Sequence, residues 1–315
     1  MSRTSAPPFR RIAIVGVGLI GGSMGLALRR SLRGVRVVGI DRQPVLRRAR
    51  ARGALDESTT NLEAGLAGAD LVVLALPVDA ILRALPRVAR GLPPGAILTD
   101  VGSTKQEIDR VVRRLGLRAR FVGGHPMAGS ERSGIEHADG RLFAGAPWVL
   151  CPSGRAAGRR RGSGPAGLAA TRPVRRLSAL VTRLGARPAL LDPRAHDLIV
   201  ARLSHLPQLV SVALTNAACS REARPFLHLA GPALRQMSRL ADSPPDLWNG
   251  ILKSNRRAAA RALDDVIGEL GRLKASLRTG TSARFRKAAL ARSRLTAACA
   301  TEACSVRIHG PRRLG

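Results

Sequence analysis

Gly16-Val17-Gly18-Leu19-Ile20-Gly21 is the stretch that decides the fold of this chain. It follows an apolar segment, Arg11 to Gly16, that is typical of a buried strand, and it opens a helix predicted over Leu19 to Ser31. In this context the first glycine permits a tight turn, the second lets a pyrophosphate approach the backbone, and the third lets helix and strand pack closely. The expected ligand is a dinucleotide whose phosphates lie at the helix N-terminus. The cofactor-binding candidates here are Gly16, Gly18, Leu19, Ile20 and Gly21.

An acidic residue completes this cofactor motif. The second predicted strand, Val35 to Ile40, ends at Asp41, twenty residues after Gly21. A carboxylate at this place hydrogen-bonds the ribose hydroxyls of NAD and disfavours the 2′-phosphate of NADP. Arg42 could hold that phosphate instead, so the sequence favours NAD and leaves NADP open. Pro77 closes a further apolar strand and is predicted to turn the chain beneath the cofactor, its alternative role being that of a strand terminator.

The order of elements predicts the domains. Strands alternate with helices over residues 10–191, which favours a Rossmann-type, doubly wound parallel α/β sheet. Apolar residues recur at helical spacing over 192–280 and predict an all-helical second domain. Residues 152–172 are rich in Arg and Gly, contain no acid and are expected to form a mobile loop. The Arg- and Ala-rich tail, 281–315, is expected to be partly helical or disordered.

Composition limits the class of protein. The net charge is +32, but only four of the 53 basic residues are lysine and the chain has no tyrosine. This arginine excess resembles a bias of overall composition, and the aromatic residues needed to stack on single-stranded nucleic acid are few, so a nucleic-acid partner is not expected. We expect neither a membrane span nor a signal peptide, and therefore a cytoplasmic protein. The four irregularly spaced cysteines predict reduced thiols and no metal site.

Two further segments carry groups suited to chemistry. Asp100-Val101-Gly102-Ser103-Thr104-Lys105 follows one predicted strand, and His125 ends the next. Ligands of open α/β sheets bind beyond the carboxyl ends of the strands, so these groups should converge. A histidine there can accept a hydroxyl proton near neutral pH as a hydride leaves. Alternatively, His125 caps a turn, Ser103 caps the following helix, and Lys105 is a solvated helix residue.

At this level the chain resembles the prephenate/arogenate dehydrogenases of tyrosine biosynthesis over roughly residues 10–275. Four motifs carry the resemblance: Gly16 to Ser23, Asp100 to Lys105, Gly124 to Glu131, and Ser204-His205-Leu206-Pro207. It implies oxidation of prephenate, or of arogenate, at the ring carbon that bears the hydroxyl. Hydride passes to NAD or NADP, and carbon dioxide is lost as the ring becomes aromatic. A homodimer joined through the helical domain is also implied.

The resemblance also implies roles for individual residues. His125 would accept the hydroxyl proton, while Ser103 bonds the same hydroxyl and steadies the imidazole. Arg239, placed by the match over Leu234 to Ala241, would bind a substrate carboxylate, and Glu131 would pair with it and gate the pocket. The remaining substrate-binding candidates are Lys105, as a cationic contact, and Ser130 and His205, as lining residues. His205 has the alternative role of a buried core histidine.

Some features depart from the family pattern or leave other functions open. Gln208 stands where the family often has a second histidine, and Gln236 replaces an acid. One alternative is a β-hydroxyacid dehydrogenase of the same architecture, but Lys253 matches its lysine poorly and His125 would then be unexplained. The other is a non-catalytic protein that senses dinucleotides or associates with nucleic acid. His196 and Asp197 are expected to form a hydrogen-bonded pair at an interface.

Overall fold

The computed structural model describes residues 7–129, 132–153 and 171–301. It divides the chain into two compact units, the first running to Asp197 and the second beginning at Leu198. The single boundary predicted near residue 192 differs from this arrangement, because Ser243–Ser254 returns to the first unit. The helix Pro245–Ser254 is attached there by a 2.8 Å hydrogen bond between the hydroxyls of Ser254 and Thr104.

Eight strands form one sheet in the first unit. They are β1 (Arg11–Val15), β2 (Arg36–Ile40), β3 (Glu57–Thr59), β4 (Leu71–Leu74), β5 (Ile97–Asp100), β6 (Phe121–Pro126), β7 (Pro147–Pro152) and β8 (Arg187–Leu190). Their order is β3-β2-β1-β4-β5-β6-β7-β8, and every neighbouring pair is parallel except β6 and β7. This topology confirms the predicted Rossmann-type sheet. The short strand β3 and the antiparallel strand β7 were not predicted.

Helices cover both faces of the sheet. They are α1 (Leu19–Ser31), α2 (Gln43–Ala51), α3 (Leu62–Leu66), α4 (Val78–Gly91), α5 (Gln106–Arg114) and the helix Arg172–Arg183. Side chains of β1 alternate between the two cores: Ile12 and Ile14 pack in one, and Ala13 and Val15 in the other. A strand buried on both faces needs apolar residues at every buried position, which explains the apolar run from Ile12 to Val15.

The second unit is helical, and its described residues contain no strand. Its α-helices are Leu206–Ala218, Pro232–Ser238, Arg256–Ser276 and Ser282–Thr301. A π-helical turn at Ala201–His205 connects the helix Pro193–Val200 to the first of these, and 3₁₀ turns lie at Arg224–Leu229 and Arg239–Asp242. The all-helical prediction is confirmed. The predicted loop at 152–172 and the tail at 281–315 fall partly outside the described residues, which omit 154–170 and 302–315.

One helical segment departs from the expectation that nothing in the chain is apolar enough to span a membrane. Pro193–Ala218 is 26 residues long and contains an 18-residue window with a mean hydropathy of 1.4, so it meets that criterion by length and composition only. Polar residues such as Arg202 and His205 interrupt the apolar residues of this segment. A search for an unbroken apolar run therefore does not detect it, although its average hydropathy is high. Helices of water-soluble proteins also meet the criterion, so the segment does not by itself assign a membrane.

The second and third glycines of the opening motif, Gly18 and Gly21, separate ligand access from packing. A Cβ at Gly21 would overlap the carbonyl oxygen of Gly16, whereas a Cβ at Gly18 would have no heavy atom within 4 Å. Gly21→Ala should therefore lower the free energy of unfolding by about 1–3 kcal/mol or more, as overpacking does. Gly18→Ala should leave it nearly unchanged. Urea unfolding of the two variants checks this, and equal stabilities would contradict it.

Candidate active site

The site candidates of the first unit lie at one edge of the sheet. Five neighbouring parallel strands end there, and each presents one predicted residue. Gly16 follows β1, Asp41 follows β2, Pro77 lies after β4, Ser103 lies after β5, and His125 is the penultimate residue of β6. The carboxyl edge of an open α/β sheet is where ligands bind, so the topology brings the cofactor and reaction candidates to one crevice.

The loop after β1 has the geometry of a dinucleotide cradle. Gly16 has φ +91°, a conformation that L side chains rarely adopt, and a side chain there would overlap the carbonyl oxygen of Ala75. The space around Gly18 is open. The first turn of α1 contains no acidic residue and its N-terminus receives no side-chain cap, so its amides suit an anion. These residues fit a bound dinucleotide.

Asp41 is fixed against this loop. Its carboxylate accepts a 2.7 Å hydrogen bond from the Val17 amide and a 2.6 Å bond from the Arg42 amide. Two backbone donors therefore hold a negative charge beside the cradle. Pro77 is exposed at the start of α4, where its carbonyl accepts the Ile81 amide, and β4 has already ended at Leu74. The terminator role of Pro77 is thus not needed, and its place near a cofactor stays a prediction.

Lys105 has a different environment from the one predicted. Its side chain is 1% exposed, and its ammonium is paired with the buried carboxylate of Asp100. An ammonium enclosed in this way is not available to a substrate carboxylate, so its assignment as a substrate contact does not fit the structure. The alternative of a solvated helix residue is wrong for the same reason. Lys105 is an interior residue that neutralises Asp100.

Asp100 holds together the two segments that carry Ser103 and His125. One carboxylate oxygen accepts the Gly102 amide at 2.8 Å, and the other accepts the Gly124 amide at 3.3 Å. A Cβ at Gly124 would come against the carbonyl oxygen of Asp100, so only glycine allows the strands to approach this closely. A Cβ at Gly123 would press on the Lys105 side chain, so the glycine pair that precedes His125 has a structural cause in the close packing of β6 against the end of β5 and Lys105.

The start of α5 is capped from a distant helix. Lys105 occupies the N-cap position, and its own side chain does not cap the helix. Instead the Asp197 carboxylate accepts the backbone amides of Lys105 at 2.7 Å and Gln106 at 2.9 Å. A carboxylate is favoured at a helix N-terminus. The alternative in which Ser103 caps this helix is wrong, and Ser103 remains half-buried beside the strand end.

His125 is hydrogen-bonded to a histidine that the sequence did not identify as part of the site. Nδ1 of His125 lies 2.8 Å from Nε2 of His196, and Nδ1 of His196 lies 2.8 Å from the Asp197 carboxylate. His196 and Asp197 are fully buried, so the pair predicted at an interface lies inside the first unit. Burial lowers the pKa of His196 below its usual 6.5, and the hydrogen bond to Asp197 only partly opposes this.

A helix-start signal in the sequence places this pair. Asp192 precedes Pro193, and its carboxylate accepts the amides of Arg194 and Ala195, each at 3.0 Å. An Asp cap followed by proline is a strong start for a helix. The signal could have located the helix and its buried pair. It could not have identified His125 as the partner, because the two histidines are 71 residues apart.

The second unit contains two of the predicted residues. His205 is 1% exposed, and its Nδ1 lies 3.4 Å from the amide nitrogen of Asn255, which favours its alternative role as a core histidine. Arg239 is exposed and begins a helical turn. Gln208 donates to the Leu240 carbonyl at 2.7 Å, and Ser211 donates to the Met237 carbonyl at 2.8 Å. These two bonds fix the backbone on both sides of Arg239. Ser130 and Glu131 lie outside the described residues.

Two family models match this chain. Residues 24–160 match the nucleotide-binding domain of prephenate dehydrogenase, and residues 192–289 match its dimerization domain. A prephenate dehydrogenase of Bacillus subtilis is 32% identical over 270 residues, which cover 84% of this chain and 69% of that relative. This chain belongs to the prephenate dehydrogenase family. The resemblance stated from the sequence motifs is thereby confirmed.

Other members of the prephenate dehydrogenase family extend the comparison. The prephenate dehydrogenase of Lactococcus lactis is 33% identical over 251 residues, covering 78% of this chain. The match spans 65% of that relative, so the chain covers slightly less than two thirds of its length. The crystal structure of prephenate dehydrogenase from A. aeolicus with hydroxyphenyl propionate and NAD⁺ has a TM-score of 0.79 at 26% identity, covering 93% of this chain and all of that one. Synechocystis arogenate dehydrogenase has a TM-score of 0.68 at 33% identity, covering 85% and 92%.

The β-hydroxyacid dehydrogenase alternative is not favoured by these comparisons. A 3-hydroxyisobutyrate dehydrogenase of Mycobacterium tuberculosis has a TM-score of 0.51 but only 14% identity, covering 82% of this chain and 94% of that one. At that level the similarity shows the shared fold alone. The prephenate dehydrogenase family models, in contrast, match residues of both units.

The buried pair of Lys105 and Asp100 makes a stability prediction. Lys105→Met leaves the Asp100 carboxylate buried without its cation and should cost about 3–5 kcal/mol of unfolding free energy. Arg87→Met is the matched control, because it breaks the pair between Arg87 and Glu63 on the exposed surface. It should change stability little, since water screens exposed pairs. Urea unfolding measures both, and a loss in Lys105→Met no larger than in the control would refute the burial argument.

His196 makes a pH-dependent contribution to stability. Its pKa is lowered in the folded state, so the unfolded chain binds a proton at a higher pH than the folded one does. The contribution of His196 to the free energy of unfolding is therefore fully present above about pH 6.5. It decreases by up to about 1.4 kcal/mol per pH unit as the pH falls below that value. His196→Gln cannot titrate and should lack this slope. Unfolding free energies of both proteins from pH 7.5 to about pH 5 test this, and a constant difference would contradict it.

Proposed function

We propose that this chain is an NAD-dependent dehydrogenase that converts prephenate to 4-hydroxyphenylpyruvate, or arogenate to tyrosine, with loss of carbon dioxide. The observation that carries the proposal is the placement of His125 at the same sheet edge as the cradle at Gly16 to Gly21. Membership of the prephenate dehydrogenase family supports it. A cradle alone would suit any dinucleotide-binding protein, whereas a histidine fixed at this edge is suited to oxidising an alcohol.

NAD is the proposed cofactor. The family model for the first unit is a nucleotide-binding domain, and the A. aeolicus relative is described in complex with NAD⁺. The carboxylate of Asp41, held by the amides of Val17 and Arg42, suits ribose hydroxyls and opposes a 2′-phosphate. Gly18 and the first turn of α1, including Leu19 and Ile20, would hold the pyrophosphate. When bound, the nicotinamide accepts the hydride that leaves the hydroxyl-bearing carbon.

Side chains of the first unit are then proposed to accept the hydroxyl proton and to orient the substrate. His125 takes the hydroxyl proton, and Ser103 bonds the same hydroxyl. Asp100 contributes by holding the segments of both residues through the Gly102 and Gly124 amides. Formation of an aromatic ring drives the reaction, so the protein needs to orient the substrate and receive one proton. A partly buried imidazole is suited to both tasks near neutral pH.

The second unit is proposed to bind the substrate carboxylate. Arg239 is exposed on a turn whose backbone is held by Gln208 and Ser211, and its guanidinium can form two parallel hydrogen bonds to a carboxylate. We further propose that Glu131 pairs with this arginine and that Ser130 lines the pocket. His205 is proposed to support the unit from its interior and not to contact substrate.

We also propose a cytoplasmic homodimer. The second unit matches the dimerization domain of the family. Its surface carries large apolar side chains that a second copy would cover, among them Leu203, Leu270 and Leu277, which are 68%, 59% and 72% exposed. The relatives are biosynthetic enzymes, which supports a cytoplasmic location. A homodimer would also explain why much of the apolar segment Pro193–Ala218 is not buried within a single copy of the chain.

The activity is tested by mixing the purified protein with NAD or NADP and with prephenate or arogenate, following the absorbance of the reduced nicotinamide. At least one pair should react, and NAD should be preferred to NADP because of the charge on Asp41.

Two variants then test the roles proposed for His125 and Arg239. His125→Asn should lower kcat by about 10²–10⁴-fold, as loss of a general base does. Arg239→Gln should mainly raise KM. Absence of reaction with all four pairs would refute the function, and wild-type turnover in His125→Asn would refute the role of His125.

A further inference from the structure

Three side chains of the first unit form a hydrogen-bonded line that ends at His125. The line runs from the Asp197 carboxylate to His196 Nδ1, and from His196 Nε2 to His125 Nδ1, with both distances 2.8 Å. The proposed function uses only His125. His196 and Asp197 are fully buried, so they do not contact a substrate from solvent. They must act, if at all, through His125.

At the Asp197 end of this line, the donor and the acceptor of the hydrogen bond are fixed. Its carboxylate accepts the backbone amides of Lys105 and Gln106, at 2.7 and 2.9 Å. An ionised carboxylate has only acceptor sites, and both of these contacts use it as an acceptor. The hydrogen in the bond to His196 must therefore come from the imidazole. His196 carries it on Nδ1.

The protonation state of His196 follows from its surroundings. Burial lowers its pKa, and the Lys105 ammonium acts in the same direction, against the opposing effects of Asp197 and Asp100. His196 is therefore neutral near pH 7. A neutral imidazole with its hydrogen on Nδ1 has a lone pair on Nε2 and can only accept there. The hydrogen between the two histidines consequently belongs to His125.

We propose that His196 is a positioning residue that fixes the tautomer of His125. With its hydrogen on Nδ1 donated to His196, His125 presents an unprotonated Nε2 as the proton acceptor. In the proposed reaction the substrate O–H bond breaks, an Nε2–H bond forms, and the hydride from the same carbon goes to the nicotinamide. The resulting imidazolium keeps its Nδ1–H bond to His196. The inference rests on the proposed function for this step, while the tautomer itself is a property of the free protein.

A packing role for His196 is the competing explanation. The two imidazole rings meet edge to face, with centroids 5.0 Å apart and an interplanar angle of 64°. Phenylalanine could reproduce such a ring contact but offers no acceptor to His125. Glutamine offers the reverse: its amide nitrogen can donate to Asp197, and its oxygen can accept from His125, but it has no ring and cannot carry a proton. The two substitutions therefore separate packing from tautomer control.

The kinetic experiment compares His196→Gln with His196→Phe, using His137→Gln and His137→Phe as controls at an exposed histidine. We expect His196→Gln to keep kcat within about tenfold of the wild type. His196→Phe should lose about 10²-fold or more in kcat with little change in KM, the scale on which general-base catalysis acts. Thermal unfolding and NAD binding report whether each variant is folded. If His196→Phe does not fold, His196→Ala, which adds no atoms, takes its place.

Two kinetic outcomes would overturn the proposal. One is wild-type kcat in His196→Phe or His196→Ala, and the other is a loss in His196→Gln as large as theirs. Long-range ¹H–¹⁵N NMR of the free protein, with His125 assigned by His125→Asn, gives a readout that needs no activity. The wild type and His196→Gln should show the hydrogen on Nδ1, and a hydrogen on Nε2 would refute the tautomer. An inactive wild type with the predicted tautomer would refute only the proposed function.

Discussion

The Asp197 carboxylate bridges the start of α5 and the helix that carries His196, and the arrangement of the candidate site depends on that contact. It accepts the backbone amides of Lys105 and Gln106 at the start of α5, and it accepts a further hydrogen bond from His196. Since the carboxylate can only accept and burial keeps His196 neutral near pH 7, the direction of the next hydrogen bond, between His196 and His125, is determined. A helix cap thus has a chemical consequence beyond the stability of the helix. Loss of Asp197 would remove the cap of α5. It would also remove the acceptor that fixes the hydrogen of His196 on Nδ1.

The buried ion pair of Asp100 and Lys105 complements this contact on the sheet side. It ties the end of β5 to β6 through the Gly124 amide, next to His125. Both charges are costly to bury, so the pair is favourable only because cation and backbone donors satisfy the carboxylate. The positions of His125 and Ser103 are therefore held by interior interactions with no direct contact to substrate. The two proposed reactive groups are thus supported from the interior of the first unit, as accurate positioning requires.

The sequence predicted what depends on local pattern and missed what depends on distant contacts. The turn at Gly16 to Gly21, the acid at Asp41 and the strand leading to His125 are signalled by neighbouring residues. Lys105 was misassigned because a lysine that follows a strand end gives no sign that its partner is a buried carboxylate. The role of Asp197 was missed because the amide it binds at Lys105 is 92 residues away. Composition was uninformative about Arg239, which is identified by its motif alone.

A crystal structure of the protein with NAD⁺ and hydroxyphenyl propionate, the ligand pair of the A. aeolicus relative, tests the central claim most directly. We predict that the ligand hydroxyl lies within about 2.6–3.2 Å of His125 Nε2, beside the nicotinamide. His125 Nδ1 should remain bonded to His196. A hydroxyl bound to another residue, or a His125 ring turned so that Nδ1 faces the ligand, would contradict the account.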